Sequence, residues 1–200
     1  MTVLVPDVVL DRDGLRRGLA VGLDGERIGA VIPADAAPPG AIHLRDTALL
    51  PGFVNGHSHA FQRDIRGVVE RVDPRFPEES FWTWREAMYA AAARLDPDSM
   101  RDVARRAFRQ MRKAGFTVVG EFHYVQHHPD GTWYRDPNAM AQAVCDAAEA
   151  EGLRIVLLLV AYERGGHERP LADGQLRFAD PSVEAYLGRL DALRTWAAER

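Results

Sequence analysis

The chain has 200 residues, of which 46% are hydrophobic and 27% charged, and its formal net charge is −4. Such a composition is typical of a globular protein with a sizeable core. The mild negative charge excludes the basic footprint of nucleic-acid binding, and no apolar run is long enough to predict a membrane span. The N-terminus lacks the basic region and cleavage site of a secretory signal. We therefore expect a cytoplasmic protein.

Residues 1–48 are expected to form a small β-rich segment. In "GLAVGLDGERIGAVI" two alternating apolar arms flank Asp24 and Gly25, which is a typical hairpin pattern. The stretch "PADAAPPGA" from Pro33 to Ala41 predicts a loop. After this loop, "HLRDTALLPGFVNG" predicts a second extended region that leads into the rest of the chain.

After the second extended region, the pattern changes to helices that alternate with apolar strands. "SFWTWREAMYAAAARL" and "DPDSMRDVARRAFRQMRKAGF" predict two helices. The second has Asp96 as its N-cap, Pro97 at its first position and Gly115 at its C-cap. A strand over "TVVGEFHYV", a helix over residues 138–151 and an apolar strand over "LRIVLLLVAY" follow. A loop and a last helix from about Pro181 complete the prediction.

This order of elements predicts an α/β fold. Near-continuous apolar strands that alternate with helices favour a parallel sheet buried on both faces. An open doubly wound sheet and a (β/α)8 barrel both fit, and the chain has no GxGxxG motif to favour the open sheet. A barrel takes about 250 residues, whereas about 150 follow the β-rich segment. The barrel alternative therefore predicts three or four β/α units over residues 49–200, with the barrel incomplete at residue 200.

Two histidines, His57 and His59, end the apolar run in "LLPGFVNGHSHAFQR". Side chains two residues apart in a strand point to the same face, so both imidazoles should project from the carboxyl end of the strand, where barrel loops build active sites. Neutral imidazole nitrogens are good ligands for Zn²⁺ or Fe²⁺. The alternative, a turn-capping histidine beside an exposed one, is disfavoured by the surrounding strand and turn pattern. We expect two ligands of one divalent metal ion.

The same stretch resembles the first barrel strand of the amidohydrolase superfamily, in which the HxH motif supplies two metal ligands. Two further stretches, "SFWTWREAMY" at residues 80–89 and "AGFTVVGEFHYVQHHPDG" at residues 114–131, resemble the formimidoylglutamate deiminases of that superfamily. These motifs are long and rich in aromatic residues, and the resemblance extends over essentially the whole chain. It covers only the N-terminal part of the family's chain, which is considerably longer.

The resemblance implies a metal-dependent TIM-barrel hydrolase that converts N-formimidoyl-L-glutamate, a small-molecule substrate, to N-formyl-L-glutamate and ammonia in histidine degradation. It implies that His57 and His59 hold one divalent ion, usually zinc. By the same resemblance Gln62, Arg85 and Tyr124 contact the substrate, the last two at its glutamate moiety. We expect the full-length form to be a homodimer with no nucleic-acid or membrane partner.

The residue type at position 85 favours substrate binding on independent grounds. A substrate with two carboxylates needs fixed positive donors, and the guanidinium of Arg85 can bind a carboxylate through two hydrogen bonds. Simpler interpretations stay open for two of the three substrate contacts. Arg85 could be a solvated helix residue paired with Glu86, and Tyr124 could be a buried strand tyrosine with a satisfied hydroxyl.

Four other histidines are expected to lie outside the metal site. His123 precedes Tyr124, faces the other way in a strand and is interpreted as structural. His127 and His128, in "VQHHPDGTWY", are expected to be surface or loop-ordering residues. His167 lies in "ERGGHERPLADGQLRF", where the family usually has a Ser/Thr-His pair before a glycine-rich turn, and it is not interpreted as a ligand.

The resemblance also implies that the remaining functional groups lie beyond Arg200. They are a histidine ligand after the fifth strand, an aspartate ligand after the eighth and a histidine after the sixth that assists the chemistry. A catalytic zinc site takes three protein ligands plus water, so we expect no catalytic residue within this chain and no activity of the chain alone. Two alternatives to the deiminase hypothesis stay open: an aminohydrolase of a purine, pyrimidine or triazine ring, and a non-catalytic remnant or interaction module.

Overall fold

The structure, a computed structural model, describes residues 2–67 and 81–200. The chain divides into two compact units, Met1–Gly52 and Phe53–Arg200. No helix in the described ranges is both long and apolar enough to cross a membrane. The predicted start of the first helix, Ser80, lies outside the described residues.

The first unit contains a five-stranded sheet. Its strands are β1 (Thr2–Asp11), β2 (Gly14–Arg16), β3 (Leu19–Asp24), β4 (Arg27–Pro33) and β5 (Ile42–Leu49). Antiparallel pairing gives the order β2-β1-β3-β4, and β5 pairs with β1 in parallel. The predicted hairpin at Asp24 and Gly25 is confirmed by the β3-β4 pair, and Gly25 has the positive φ of 56° that a tight turn requires.

The second unit contains a parallel three-stranded sheet in the order β6-β7-β8. These strands are β6 (Phe53–Ser58), β7 (Phe116–His123) and β8 (Arg154–Leu159). Their parallel pairing confirms the α/β prediction, since parallel neighbours need long crossover connections rather than tight turns. The second extended region of the sequence is divided between β5 of the first unit and β6 of the second.

The described part of the second unit also contains α-helices. They are α1 (Phe81–Ala93), α2 (Pro97–Lys113), α3 (Ala139–Ala150) and α4 (Val183–Ala198). In chain order, α1 and α2 follow β6, α3 follows β7, and α4 follows β8. The main core includes Val119 of β7, Phe108 of α2 and Val144 of α3, each fully buried. This apolar core fixes the sheet that carries the two histidines.

Helix α2 begins where the sequence predicts, but its C-cap is Ala114, one residue before the predicted Gly115. The Asp96 carboxylate accepts the Ser99 backbone N–H at 2.8 Å, and the Ser99 hydroxyl oxygen accepts the Asp96 N–H at 2.9 Å, which completes a capping box. Pro97 occupies the first helical position. Gly115 follows the helix with a φ of 89°, a conformation that favours glycine.

Replacing Asp96 with alanine should lower the free energy of unfolding by about 1 kcal/mol, because the first turn of α2 loses its acceptor. Urea denaturation measures this change. Asp102 is the matched control, because it is an exposed aspartate later in the same helix. Asp102→Ala should change the free energy of unfolding by less than about 0.5 kcal/mol. Equal effects of the two substitutions would contradict the capping role of Asp96.

The expectation that the strands of the second unit are buried on both faces is wrong for one face. Val119 and Leu159 are buried, whereas Val156 is 56% exposed and Leu158 is 38% exposed. The exposed residues alternate with buried or partly buried ones along β8 and therefore lie on the other side of the sheet. Three strands do not close into a ring, so no layer within the described residues covers this second face.

The segment between β8 and α4, predicted as a loop, contains two structured parts. A 3-10 helix spans Asp173–Phe178, and an isolated bridge joins Gly166 to Arg169. Gln175 and Arg177 are buried, although polar residues in a loop are usually exposed. Their burial depends on contacts with distant parts of the chain, which a local sequence pattern does not report.

Candidate active site

His57 and His59 lie at the carboxyl end of β6 and face each other. Their Nε2 atoms are 3.0 Å apart, and their ring centroids are 4.8 Å apart. The ring of His57 also stacks on Phe122 of the neighbouring strand β7, with 4.3 Å between the ring centroids. The structure therefore brings together the two imidazoles that the sequence predicts to act as a pair.

One hydrogen bond determines which nitrogen of His59 carries a hydrogen. Its Nδ1 is 3.0 Å from the backbone carbonyl oxygen of Phe122, which can only accept, so Nδ1 is the donor and Nε2 keeps its lone pair. Burial lowers the pKa of His59 below its ordinary value, with a smaller lowering effect from His57 and an opposing effect of the Phe122 contact. The neutral imidazole with a free Nε2 lone pair is the form that binds a metal ion.

The geometry of the histidine pair fits a shared divalent ion. Zn–N bonds of about 2.0–2.1 Å allow two nitrogens at this separation of 3.0 Å to bind one ion. Within residues 2–67 and 81–200, no group of three or more histidine, cysteine, aspartate or glutamate side chains could hold a metal ion. The described residues thus offer two ligands for a site that needs at least one more.

Gln62 and Tyr124 form a second polar pair beside His59. The Gln62 amide Nε2 donates to the Tyr124 hydroxyl oxygen at 3.0 Å, and the ring centroids of Tyr124 and His59 are 5.2 Å apart. Burial raises the pKa of Tyr124 above its ordinary value, so the hydroxyl stays protonated. The Tyr124 hydroxyl oxygen is 3.7 Å from the Met88 sulfur, which is a weak hydrogen-bond acceptor. The hydroxyl proton is therefore available to a stronger acceptor.

Arg85 lies on α1, close to aromatic rings. Its guanidinium carbon is 4.5 Å from the ring centroid of Trp82 and 5.5 Å from that of Tyr89. Its Nε atom is buried and has no hydrogen-bond partner among the described residues. A Glu86 carboxylate oxygen is 3.7 Å from Nη2, too far for a hydrogen bond. The Glu86 pairing considered from the sequence is therefore present only as a long ion pair.

A cleft of about 770 Å³ adjoins Arg85, between α1 and residues 165–175. The histidine pair and the Gln62–Tyr124 pair do not line this cleft. A row of aromatic rings connects the two regions. The ring centroids of Tyr89 and Phe178 are 5.7 Å apart, and those of Phe178 and Tyr124 are 5.3 Å apart. Four of the five predicted site residues thus lie together, and Arg85 lies on the neighbouring cleft.

A comparison of the sequence with known protein families relates this arrangement of side chains to one family. The sequence profile described as "Amidohydrolase family" matches residues 48–194, which include both polar pairs and Arg85. The chain belongs to the amidohydrolase family. The resemblance to this superfamily that the HxH motif predicts is confirmed.

Two curated relatives of this amidohydrolase cover most of the chain. A formimidoylglutamate deiminase of Pseudomonas aeruginosa is 40% identical over 195 residues, which are 97% of this chain and 42% of the relative. The 5-methylthioadenosine/S-adenosylhomocysteine deaminase 2 of Archaeoglobus fulgidus is 28% identical over 176 residues, which are 87% of this chain and 37% of the relative. The chain therefore spans less than half the length of either relative. The predicted resemblance to the N-terminal part of formimidoylglutamate deiminases is confirmed.

Two solved structures are similar to this amidohydrolase. An amidohydrolase from Brucella melitensis has a TM-score of 0.82 and 32% identity, over 96% of this chain and 44% of that one. An atrazine chlorohydrolase from Arthrobacter aurescens, complexed with zinc, has a TM-score of 0.74 and 22% identity, over 96% of this chain and 42% of that one. The second likeness concerns the fold alone. Together the matches confirm the N-terminal portion of an amidohydrolase (β/α)8 barrel, preceded by a small β-rich segment.

A buried carboxyl group that sequence analysis missed holds the segment after His59. Glu121 of β7 is 2% exposed, and its Oε1 accepts the Ala60 backbone N–H at 2.6 Å. Ala60 begins the 3-10 helix Ala60–Ile65, which carries Gln62. Burial raises the pKa of Glu121 to about 7, against the lowering effect of the Ala60 hydrogen bond. A lone glutamate within the apolar strand "TVVGEFHYV" was the signal available in the sequence.

The pKa of Glu121 predicts a pH-dependent stability. The carboxyl ionises near pH 4.5 in the unfolded chain and near 7 in the folded one, so the folded state holds this proton more tightly. The resulting stabilisation is fully present below pH 4.5 and is lost as the pH rises through 7. Glu121→Gln keeps an acceptor for the Ala60 N–H but carries no charge, so its stability should not depend on this ionisation. The free energy of unfolding of the variant minus that of the native protein should therefore rise by about 1–3 kcal/mol between pH 4.5 and pH 8. Urea denaturation with a chelator measures this difference, and the same value at both pH values would contradict the prediction.

Two buried side chains of the 3-10 helix Asp173–Phe178 hold α1 in place. The Gln175 Nε2 donates to the Tyr89 hydroxyl oxygen at 3.0 Å, and the Arg177 guanidinium donates to the Leu95 carbonyl oxygen at 2.9 Å, just past the end of α1. These partners lie 86 and 82 residues apart in the sequence. Sequence analysis missed both contacts because neither leaves a local pattern.

The histidines that sequence analysis placed outside the metal site have varied surroundings. His123 is buried at the end of β7, in keeping with its structural interpretation. Burial, followed by the positive charges of two arginines, lowers the pKa of His123 to about 3, so its imidazole is neutral. The ring of His128 lies 3.8 Å from that of Tyr134, measured between centroids, and the side chain of His167 is exposed.

Of the two interpretations of His127, a surface or a loop-ordering residue, the structure excludes the first and agrees with the second, because the side chain is fully buried. Its ring stacks on Trp133 with 5.4 Å between centroids, and its Nε2 is 3.4 Å from a carboxylate oxygen of Asp180. The backbone N–H of His127 donates to the Arg177 carbonyl oxygen at 3.0 Å. The loop after β7 is thus bonded to the 3-10 helix before α4, and this long-range contact buries the histidine.

Proposed function

We propose that this chain provides the first barrel strands of a zinc-dependent formimidoylglutamate deiminase. This enzyme hydrolyses N-formimidoyl-L-glutamate to N-formyl-L-glutamate and ammonia in cytoplasmic histidine degradation. The observation that carries the proposal is the pair of facing imidazole Nε2 atoms at the end of β6, with the ring of Tyr124 beside that of His59. The Pseudomonas aeruginosa relative, 40% identical over 97% of this chain, supports the choice of substrate.

In this proposal His57 and His59 hold the metal ion. When bound, a divalent zinc ion supplies a water molecule that ionises near neutral pH. The Phe122 carbonyl keeps His59 in the tautomer that a ligand needs, and the Phe122 ring stacks on His57. Both imidazoles are therefore oriented by the protein itself, which is the usual role of groups that surround metal ligands.

The glutamate moiety carries two carboxylates that need donors. We assign Arg85 and Tyr124 to this part of the substrate, because a guanidinium and a protonated hydroxyl both donate to carboxylate oxygens. Gln62 donates to the Tyr124 oxygen, which leaves the hydroxyl proton free to point at the substrate. The Arg85 Nε, buried without a partner among the described residues, is a donor that a bound carboxylate can satisfy.

Deamination of a heterocyclic base is the second candidate, because the Archaeoglobus fulgidus relative is named for that activity. Such a pocket needs aromatic and amide groups and no arginine for a carboxylate, so the unsatisfied Arg85 favours the deiminase. A complete-barrel chimera, residues 1–200 joined to the remainder of the Pseudomonas aeruginosa relative, allows a direct assay. Ammonia release from N-formimidoyl-L-glutamate is expected, and release from 5-methylthioadenosine alone would replace the proposal.

Arg85→Ala in the complete-barrel chimera should lower kcat/KM for N-formimidoyl-L-glutamate, because a desolvated charge contact to a carboxylate is lost. The expected loss of transition-state stabilisation is about 2–5 kcal/mol. Zinc content should stay unchanged. Arg94→Ala is the control, because Arg94 is an exposed arginine just after α1. Steady-state kinetics and elemental analysis measure the two effects, and equal turnover by native and Arg85→Ala proteins would refute the assignment.

A further inference from the structure

The cleft beside Arg85 has an arginine on each wall. Arg85 belongs to α1, and Arg169 belongs to residues 165–175, which form the opposite wall. Within residues 2–67 and 81–200, the Arg169 side chain makes no ion pair or hydrogen bond. The carboxylate of Glu86 also lines the cleft, but its side chain is 70% exposed and only loosely paired with Arg85. The volume of about 770 Å³ falls in the range of small-molecule sites.

A tight turn of the backbone fixes the position of Arg169. Gly165 N–H donates to the Arg169 carbonyl oxygen at 3.1 Å, and Arg169 N–H donates to the Gly166 carbonyl oxygen at 3.2 Å. A methyl group on Gly166 would lie 3.6 Å from Cδ of Arg169, so the aliphatic part of Arg169 packs over this glycine. Any side chain at Gly165 would collide with the Pro170 carbonyl oxygen. The turn therefore depends on Gly165 and presents Arg169 at a defined place.

Gln175 joins the two walls. Its Nε2 donates to the hydroxyl oxygens of Tyr89 at 3.0 Å and Tyr162 at 2.9 Å, and its Oε1 accepts the Ala172 N–H at 2.9 Å. The ring of Tyr89 is one of the two that lie beside the guanidinium of Arg85. Both amide hydrogens and the amide oxygen of this buried side chain are used, which holds the wall with Arg169 at a fixed distance from α1.

We propose that this cleft is a dicarboxylate-binding site in which Arg169 is the second guanidinium and gives the preference for a dianion over a monoanion. The inference rests on the proposed function, because it describes how the same cleft would recognise the glutamate part of the substrate. One guanidinium binds one carboxylate bidentately, so a ligand with two carboxylates uses a second arginine that a monoanion leaves idle.

The test is isothermal titration calorimetry of the complete-barrel chimera with glutarate, a dianion, and butyrate, a monoanion. Glutarate should bind more tightly, and Arg169→Gln should weaken glutarate binding about fivefold while butyrate binding changes by less than about twofold. Arg169→Lys should keep most of the preference, since it keeps the charge. Arg164→Gln is the matched control and should change neither affinity, because Arg164 is an exposed arginine of the same segment that does not line the cleft.

Undetectable glutarate binding, or equal glutarate binding by the native and Arg169→Gln chains, would overturn the inference. Equal weakening for both anions would also overturn it, because Arg169 would then not distinguish them. Circular dichroism checks that each variant keeps the native fold. Glutarate has no formimidoyl group, so these outcomes are independent of turnover. Normal glutarate selectivity without ammonia release by the complete-barrel chimera would contradict only the proposed function.

Discussion

Replacing His57 or His59 with alanine in the complete-barrel chimera should remove bound zinc and ammonia release together. The two Nε2 atoms are 3.0 Å apart, and in the proposed function each is one ligand of a single ion. Losing one of three or four protein ligands leaves too few bonds to hold a catalytic ion. We expect zinc content to fall from about one ion per chain to less than about 0.1, and kcat/KM to fall by at least about a thousandfold.

The control for this experiment is His43→Ala, because His43 is an exposed histidine of β5 that does not line the cleft beside Arg85. Its zinc content and activity should match those of the unmodified chimera. Elemental analysis after dialysis gives the zinc content, and an ammonia assay gives the rate. A His57→Ala or His59→Ala protein with unchanged zinc would contradict the assignment of the pair as ligands, whatever its activity.

Features set by neighbouring residues were the ones that the sequence predicted well. Asp96 and Ser99 are three residues apart, and their capping box depends on that spacing alone. The hairpin at Gly25 needs only a turn residue between two alternating arms. His57 and His59 face each other because of the two-residue period of a strand. In each case a few consecutive residues contain the whole physical cause.

Features that depend on distant contacts could not be predicted from one sequence. Glu121 and Ala60, whose hydrogen bond positions the segment with Gln62, are 61 residues apart. Gln175 reaches Tyr89 over 86 residues, and its segment has the composition of an ordinary loop. His127 is buried because the backbone after β7 bonds to a 3-10 helix much later in the chain. Such contacts exist only once the sheet has brought the segments together.

The final prediction concerns the 200-residue chain alone and follows from its sheet. Within the described residues, β6 and β8 each pair with one neighbour, β7, so each has an edge with unpaired backbone groups. Unpaired edges favour association with other chains. Val156 and Leu158 add an exposed apolar face beside one of these edges. The described residues also provide only two facing imidazoles for a metal that needs three protein ligands in a catalytic site.

The isolated chain should therefore self-associate, bind zinc weakly and release no ammonia from N-formimidoyl-L-glutamate, whereas the complete-barrel chimera should be active. Light scattering during size-exclusion chromatography gives the molecular mass, and the ammonia assay with added zinc should give a rate below about one thousandth of that of the chimera, because an ion held by two imidazoles is neither retained nor oriented for catalysis. A monomer that turns over this substrate at the rate of the chimera would overturn the argument, because two ligands and three open-edged strands would then suffice for a working site.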